Sequence, residues 1–432
     1  MKKVLIVSFD FPPQGGTGTI RATKFVKYLP QFGWQPVVLC SDAQWNPDNS
    51  LLSDIPPETP VYRVPWPRWL KAFLQPPPNS STPAKPASAG KTFGTRNLKN
   101  WALRWIKPWL IPEINRFWTP AARRKGRDLY REHHYAAILT TVPPNSIHLV
   151  GAGLHADTGC PWIADFRDPW TLDNQDIRRN GALNYGLHQR LERQILENCT
   201  ISTIVTPQQI QRTTEVFGSH LAPKLRLLTN GFDPDDFTAP LPPPDPEFTI
   251  AYIGTVLGPI VHNAFPEGLR LATEQDTEFR RLLRLRITGR IDPTYAARFA
   301  GMEDRLEYSP FLPHETAIAQ MRSAQLLTLI QPDTGVGRMI CPNKLYEYMA
   351  ARRPILALLP PGAASSVLNE GPFGRVVSPT DPQAIAAALL NLFHAIRAGT
   401  EPTQMADTII NRFDRREIAH RLASFLDELT PA

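Results

Sequence analysis

Short runs of consecutive apolar residues recur along this chain. Each is followed by a longer stretch in which apolar positions return every three or four residues. "KVLIVSF" is the first such run, and "QPVVLCSD", "YAAILTTV", "CPWIADF", "ISTIVTP" and "KLRLLTNG" follow it. Continuous apolar runs are strands buried on both faces and the 3.6-residue period is helical, so the pattern predicts parallel sheets covered by helices. A first helix is expected near 20–32, and "NYGLHQRLERQILENC" is the clearest helix of this half by its apolar spacing. The rhythm stops at "FDPDDFTAPLPPPDPE" (232–247), whose prolines can neither continue a helix nor enter a central strand; it reads as a linker. Alternation restarts with "FTIAYIG", "LRLRITG", "RLEYSPF", "QLLTLIQP", "PILALLP" and "GRVVSP". The final segment can place Ile410, Phe413, Ile418, Leu422, Phe425 and Leu429 on one helical face. The expected fold class is α/β with two doubly wound halves: 1–238, a linker at 239–247, 248–407, and a terminal helix over 408–432.

Composition sharpens this in three ways. A chain of 432 residues exceeds one ordinary core, which supports two domains. Its 45 prolines are about twice average usage and mark loops and linkers. The net charge of +7 favours anionic partners: phosphorylated ligands, nucleic acid or an acidic membrane surface. Nucleic acid is set aside, because the basic residues are dispersed and no recognised module appears. Cys40, Cys160, Cys199 and Cys341 are scattered, so neither a disulfide framework nor a metal site is expected, and a reducing, cytoplasmic setting is. The N-terminal apolar run meets Asp10 too early for a signal peptide, and no run approaches the roughly 18 apolar residues of a membrane span.

One stretch departs from globular patterning. Residues 76–96 are rich in Pro, Ser and Ala and read as a flexible loop, and 97–128 interleave Trp101, Trp105, Trp109 and Trp118 with lysines and arginines. Indole and basic side chains together suit an anionic bilayer interface; a helix packing its tryptophans on the first domain is the alternative. Trp101, Trp105 and Trp109 are the candidate membrane contacts.

Three stretches carry candidate chemistry, all expected at the carboxyl ends of strands, where such sheets bind ligands. "PPQGGTGTIR" puts Gly15 and Gly16 between the first strand and the first helix, where a backbone can approach an anion closely. It is neither a dinucleotide fingerprint nor a P-loop. "CPWIADFRDPW" places Asp165, Arg167 and Asp168 just past a strand; either these acids act on a substrate, or Asp168 caps a helix and pairs with Arg167. "PNKLYEYMA" opens a helix at Pro342, leaving unpaired N–H groups beside the positive Lys344, with Glu347 one turn further in. A phosphate at the helix tip and a ribose diol on Glu347 is the geometry of a bound nucleotide; a surface Lys–Glu pair is the ordinary alternative.

Order and spacing of these motifs resemble the GT-B nucleotide-sugar glycosyltransferases, specifically the retaining group called glycosyltransferase family 4. The motifs are "PPQGGTG", "LLTNGFDPDDF", "YIGT", "ITGR" and "CPNKLYEYMAARRPILAL"; "TTVPPNSIHLVG" and "PWIADFRDPWT" look like a subgroup of bacterial surface-polysaccharide enzymes. The resemblance implies a GT-B architecture of two Rossmann-like domains facing a cleft, with the terminal helix returning to the first domain. It implies a nucleotide-sugar donor held by the second domain, a lipid-linked or saccharide acceptor on the first, and no cofactor or metal. Glu347 matches the family glutamate on the donor ribose; Asn343, Lys344 and Leu345 stand at the diphosphate; Gly15 and Gly16 match the loop near the phosphates and transferred sugar; Arg290 lies near the nucleotide pocket. Asp165 and Asp168 are the candidate catalytic acids. Thr255, His262 and Arg338 are candidate phosphate contacts.

The chain departs from the family pattern in three places. Met339 stands where a first glutamate is usual, "VLGPIVHNAFPEG" lacks the usual arginine and lysine and offers only His262, and "DFRD" replaces a first-domain histidine. Lys344, with Arg338 or Arg290, is therefore expected to carry more of the phosphate charge. The alternative expectation is a non-catalytic accessory protein of the same fold.

Overall fold

The computed structural model describes residues 1–43, 47–67, 109–256, 264–309, 312–400 and 407–431. The chain divides into two compact units. One holds 1–204, 214–226 and 422–432, the other 205–213 and 227–421.

The first unit is built on a sheet of seven strands: β1 (Lys2–Ser8), β2 (Trp34–Ser41), β3 (Val61–Val64), β4 (Ala137–Val142), β5 (Trp162–Phe166), β6 (Ile201–Ile204) and β7 (Leu225–Leu227). Their order is β3-β2-β1-β4-β5-β6-β7. β1 runs parallel to both neighbours, with Leu5 opposite Val37 and Ile138. Every residue of β4 and β5 is buried, as continuous apolar runs require. β3 is absent from the sequence-based expectation; four residues give too short a pattern to register. Helices α1 (Thr17–Tyr28), α2 (Thr119–His133), α3 (Ile147–Thr158) and α4 (Ala182–Asn198) cover this sheet, and α5 (Pro207–Phe217) follows. The first helix starts three residues earlier than expected and tightens to a 3₁₀ turn over Leu29–Phe32, where Pro30 falls.

The second unit repeats the plan with six strands: β8 (Phe248–Ile253), β9 (Leu283–Thr288), β10 (Leu306–Ser309), β11 (Leu326–Ile330), β12 (Ile355–Leu358) and β13 (Gly374–Val377). Their order is β10-β9-β8-β11-β12-β13. One face packs Leu327, Leu345, Tyr346, Met349 and Phe413. The other packs Phe248, Leu269, Leu285, Leu389 and Phe393, from α6 (Ala264–Gln275) and α9 (Pro382–Arg397) among others. α7 (His314–Ser323) and α8 (Asn343–Ala350) complete the unit's longer helices. In each sheet the strand order reverses, between β1 and β4 and between β8 and β11, which opens a crevice at the carboxyl ends of the strands.

The proline run at 232–247 is held against the second unit. Phe232 and the 411–415 turn exchange backbone hydrogen bonds, Asp245 N–H donates to the Ser323 carbonyl at 3.0 Å, and Arg286 pairs with Asp245 at 2.8 Å. The expected single terminal helix breaks at Asp414, whose extended backbone separates a 3₁₀ turn from α10 (Arg415–Leu429). Leu426 is buried there in place of Phe425 and Leu429. The tail from Leu422 groups with the first unit, where Trp34 Nε1 donates to Asp427 at 3.2 Å.

Candidate functional site

At the carboxyl end of β8 and β11 the chain brings two helix tips and two glycine turns together. After β11, Thr334 caps a five-residue helix by accepting the Gly337 N–H at 3.0 Å. Pro342, at φ −68° and ψ 145°, then opens α8 without any side-chain cap. Leu345, Tyr346, Tyr348 and Met349 are buried, so α8 is fixed by its core face; Tyr348 Oη accepts the Ile253 N–H at 2.9 Å and ties the helix to the end of β8. The Leu345 N–H is engaged by the Pro342 carbonyl at 3.0 Å, whereas those of Asn343 and Lys344 meet no protein acceptor among the described residues. The buried Asn343 side-chain oxygen also lacks a partner. Leu345 is thus a core residue of the site, not an amide donor.

The Lys344 ammonium lies over the Tyr252 ring, 4.1 Å from its centre, and donates to Tyr252 Oη at 2.7 Å. Tyr252 Oη in turn donates to the Thr255 carbonyl at 3.2 Å. Gly254, at φ +136°, makes this possible: a Cβ there would stand 2.8 Å from Lys344 Nζ. Gly289, at φ +124°, has the same role towards Gly254, whose carbonyl would lie 2.5 Å from its Cβ. The glycines of "YIGT" and "ITGR" therefore converge. Val256 N–H donates to the Arg290 carbonyl at 2.8 Å, which sets Thr255 and Arg290 side by side, both exposed. No carboxylate pairs with Arg290 among the described residues. Lys344 is held by a neutral phenol and a ring face, so its charge is positioned without being cancelled.

Glu347 lies one turn into α8. Burial raises its carboxyl above the ordinary range, against the pull of His314, Arg415 and Lys344, while Asp236 adds to the rise. His314 Nε2 is 2.9 Å from Asp236 Oδ2. Sequence reasoning missed these neighbours: Asp236 lies in the proline run, His314 at the tip of α7 and Arg415 at the start of α10, three places without local periodicity in common. Tyr252 was equally hidden, because an aromatic residue in a continuous apolar strand reads as core. Arg338 is drawn off by a two-point ion pair with Asp333, at 2.7 and 3.2 Å on the surface. Met339 is buried, and its carbonyl accepts from the Thr206 hydroxyl at 2.6 Å. His262 lies outside the described residues.

The first unit has its own strand-end cluster. Gly16 opens α1 at φ 108° with no side-chain cap, and Gly15 is buried beside it. The Asp10 carboxylate already sits by this helix tip: a Cβ on Gly18 would lie 3.4 Å from Asp10 Oδ2. Burial pushes the Asp10 carboxyl up to about 6, opposed by Arg167. Asp165 is wholly buried, and Arg21 holds it at two points, 2.9 and 2.8 Å. Thr141 and Thr203 each donate to it at 2.7 Å. Burial would raise this carboxyl, but Arg21 and the two hydroxyls hold it below the usual range. Both oxygens are spent on the protein, so the expectation of a catalytic Asp165 is corrected to a structural one. Asp168 stays largely exposed, 3.5 Å from Arg167 Nε. It caps no helix, since Asn174 is the cap of the next one. Of the tryptophans, Trp118 is core, donating to the Val64 carbonyl at 3.0 Å, and Trp109 is 55% exposed. Trp101 and Trp105 lie outside the described residues. No helix among the described residues is long and apolar enough to cross a membrane.

Residues 252–395 match the model of a family described as glycosyl transferases group 1. This segment is similar to a group 1 glycosyl transferase domain. The match starts at Tyr252 and takes in Gly254, Arg290, Lys344 and Glu347, the residues gathered above. Solved structures similar over 99% of this chain set the domain in a GT-B fold. Sucrose-phosphate synthase from Thermosynechococcus elongatus has 14% identity and a TM-score of 0.66, with 99% of its chain covered. Anabaena HepE in complex with UDP-glucose has 14% identity and a TM-score of 0.63, with 100% covered. WaaG, a glycosyltransferase involved in lipopolysaccharide biosynthesis, has 13% identity and a TM-score of 0.56, with 100% covered. No curated protein matches the chain. The matched segment thus contains every candidate donor residue except the two glycines of the first unit.

Proposed function

We propose that this chain transfers a sugar, with retention of configuration, from a nucleotide-sugar donor to a lipid-linked or saccharide acceptor at an anionic membrane surface, in cell-surface polysaccharide synthesis. The carrying observation is the tip of α8: two N–H groups unpaired and an ammonium uncancelled among the described residues, with a carboxylate one turn inward, inside the segment that matches the group 1 family. Two phosphates find charge and donors there, and a vicinal diol finds its acceptor. HepE binding UDP-glucose and WaaG acting in lipopolysaccharide biosynthesis are consistent with this donor and acceptor class. In this reading Lys344, the α8 dipole and the exposed Arg290 stabilise the departing diphosphate, which takes the acceptor proton as the acceptor oxygen bonds to the anomeric carbon. The setting is cytoplasmic, on the inner face of the plasma membrane.

A second reading is a non-catalytic accessory protein. Met339 favours it, since a buried thioether cannot orient a sugar as a glutamate would. The test is release of nucleoside diphosphate from UDP-, GDP-, ADP- and TDP-sugars with a prenyl-phosphate acceptor, with the product anomer read by NMR. Wild-type turnover with the anomeric configuration retained, lost in Glu347→Ala, is the expected result. Binding without turnover would select the accessory reading.

A further inference from the structure

Helix α4 is built the wrong way out for a helix that merely covers a sheet. Along its first three turns Asn184, His188 and Glu192 point inward and are buried. Glu192 accepts the Thr171 N–H at 3.0 Å and its hydroxyl at 2.5 Å, and Trp170 Nε1 donates to His188 Nδ1 at 3.1 Å. The outward stripe at 183, 186, 187 and 190 is Leu183, Gly186, Leu187 and Arg190. Leu183 is 66% exposed and Leu187 38%, one turn apart. Apolar spacing alone suggests an ordinary amphipathic helix here; in its first turns polar side chains take the interior and leave Leu183 and Leu187 outside, while Ile195 and Leu196 are buried further along.

We infer that this stripe docks on an anionic lipid bilayer. The leucines are bordered by Arg178 and Arg179 before the helix and by Arg190 within it, one turn beyond Leu187. Arg178 and Arg179 keep Asp173 and Asp176 nearby, at 3.8 and 2.9 Å, while Arg190 has no carboxylate partner among the described residues. Arg190 also lines a surface hollow of about 260 Å³ with Gly186, Gln189 and Arg193, of a size for a phosphate headgroup. Leu183 stands between Gly181 and Gly186 and Leu187 directly follows Gly186, so the stripe offers little of the broad matching area of roughly 800 Å² per partner that a stable protein interface buries. A bilayer needs no such shape match: leucine enters the acyl boundary and arginine meets the phosphates. The same end of the first sheet carries the other exposed rings. Trp109 (55%) and Phe117 (38%) flank Glu113, which accepts the Ser146 N–H at 2.8 Å just past β4, and α4 follows the loop that leaves the adjacent β5.

This inference rests on the membrane part of the proposed function and assigns it a face. The test is co-sedimentation of the full chain with phosphatidylglycerol/phosphatidylcholine vesicles and with phosphatidylcholine vesicles alone. The wild type should bind the anionic vesicles, and Leu183→Ser/Leu187→Ser should bind on the order of tenfold less tightly with an unchanged melting temperature. Arg190→Ala should lose about fivefold, and only at low salt. Undiminished binding by the leucine variant would overturn the role of α4 while leaving the membrane reading intact. No binding by the wild type would overturn both. If the leucine variant instead changes the mass measured by light scattering without vesicles, the stripe joins copies of the chain and the inference fails.

Discussion

The two strand-end clusters look alike as sequence, each setting a basic residue near an acid just past a buried strand. They differ in what is left over. In the first unit Arg21 and Asp165 close on each other, two threonines fill the remaining lone pairs, and Arg167 donates to the Gly18 carbonyl at 2.9 Å. In the second unit Lys344 rests on a phenol, Arg290 stands unpaired by any carboxylate among the described residues, and two helix-tip N–H groups remain open. A charge fully satisfied by protein is architecture. One positioned by neutral groups is available to a ligand.

The largest effect should come from breaking the closed pair. Arg21→Ala leaves a buried carboxylate uncompensated, and urea denaturation should show a loss of about 3–5 kcal/mol. A folded variant of ordinary stability that has lost turnover would instead return Asp165 to catalysis. Next comes Asp10. Its carboxyl titrates near 6 when folded against 3.8 ordinarily, so the folded state retains a proton that the unfolded chain gives up. Stability from this group is greatest below pH 4 and falls through pH 6 by at most about 3 kcal/mol. Asp10→Asn should lack that contribution, so the stability difference between wild type and variant should fall from pH 4 to 7; a pH-independent difference would show that Asp10 is not desolvated. The smallest effect on the fold should follow Lys344→Ala, which removes no carboxylate's partner within hydrogen-bonding distance. Its melting temperature should hold, while affinity for a nucleoside diphosphate falls by the ~1.5–3 kcal/mol of a charged hydrogen bond and affinity for the nucleoside stays put. Equal losses for both ligands would mean a damaged fold.

All the strands except β3, and their parallel arrangement, were legible because continuous apolar runs leave few other choices. So was the opening of α8, since Pro342 and the apolar face behind Lys344 and Glu347 are both local signals. What the sequence hid is long-range. Nothing local distinguishes Asp165, sealed by Arg21, from Asp168, left in solvent two residues beyond the strand. His314 and Asp236, which flank Glu347, are 78 positions apart. The inverted face of α4 was invisible for a related reason: periodicity records which residues share a face, and only tertiary hydrogen bonds to Thr171 and Trp170 decide which face turns in. The broken terminal helix hinges on Asp414, whose neighbours carry an unbroken helical pattern.

The central claim is that α8 holds a nucleotide sugar. Its most direct test is thermal unfolding of the wild type and Glu347→Ala against UDP-, GDP-, ADP- and TDP-sugars. A ligand at 100 times its dissociation constant stabilises by about 2.7 kcal/mol, a readily measured shift. One nucleotide class should raise the wild-type melting temperature and do so far less in the variant. An equal shift in both proteins, or none with any nucleotide sugar, would contradict it.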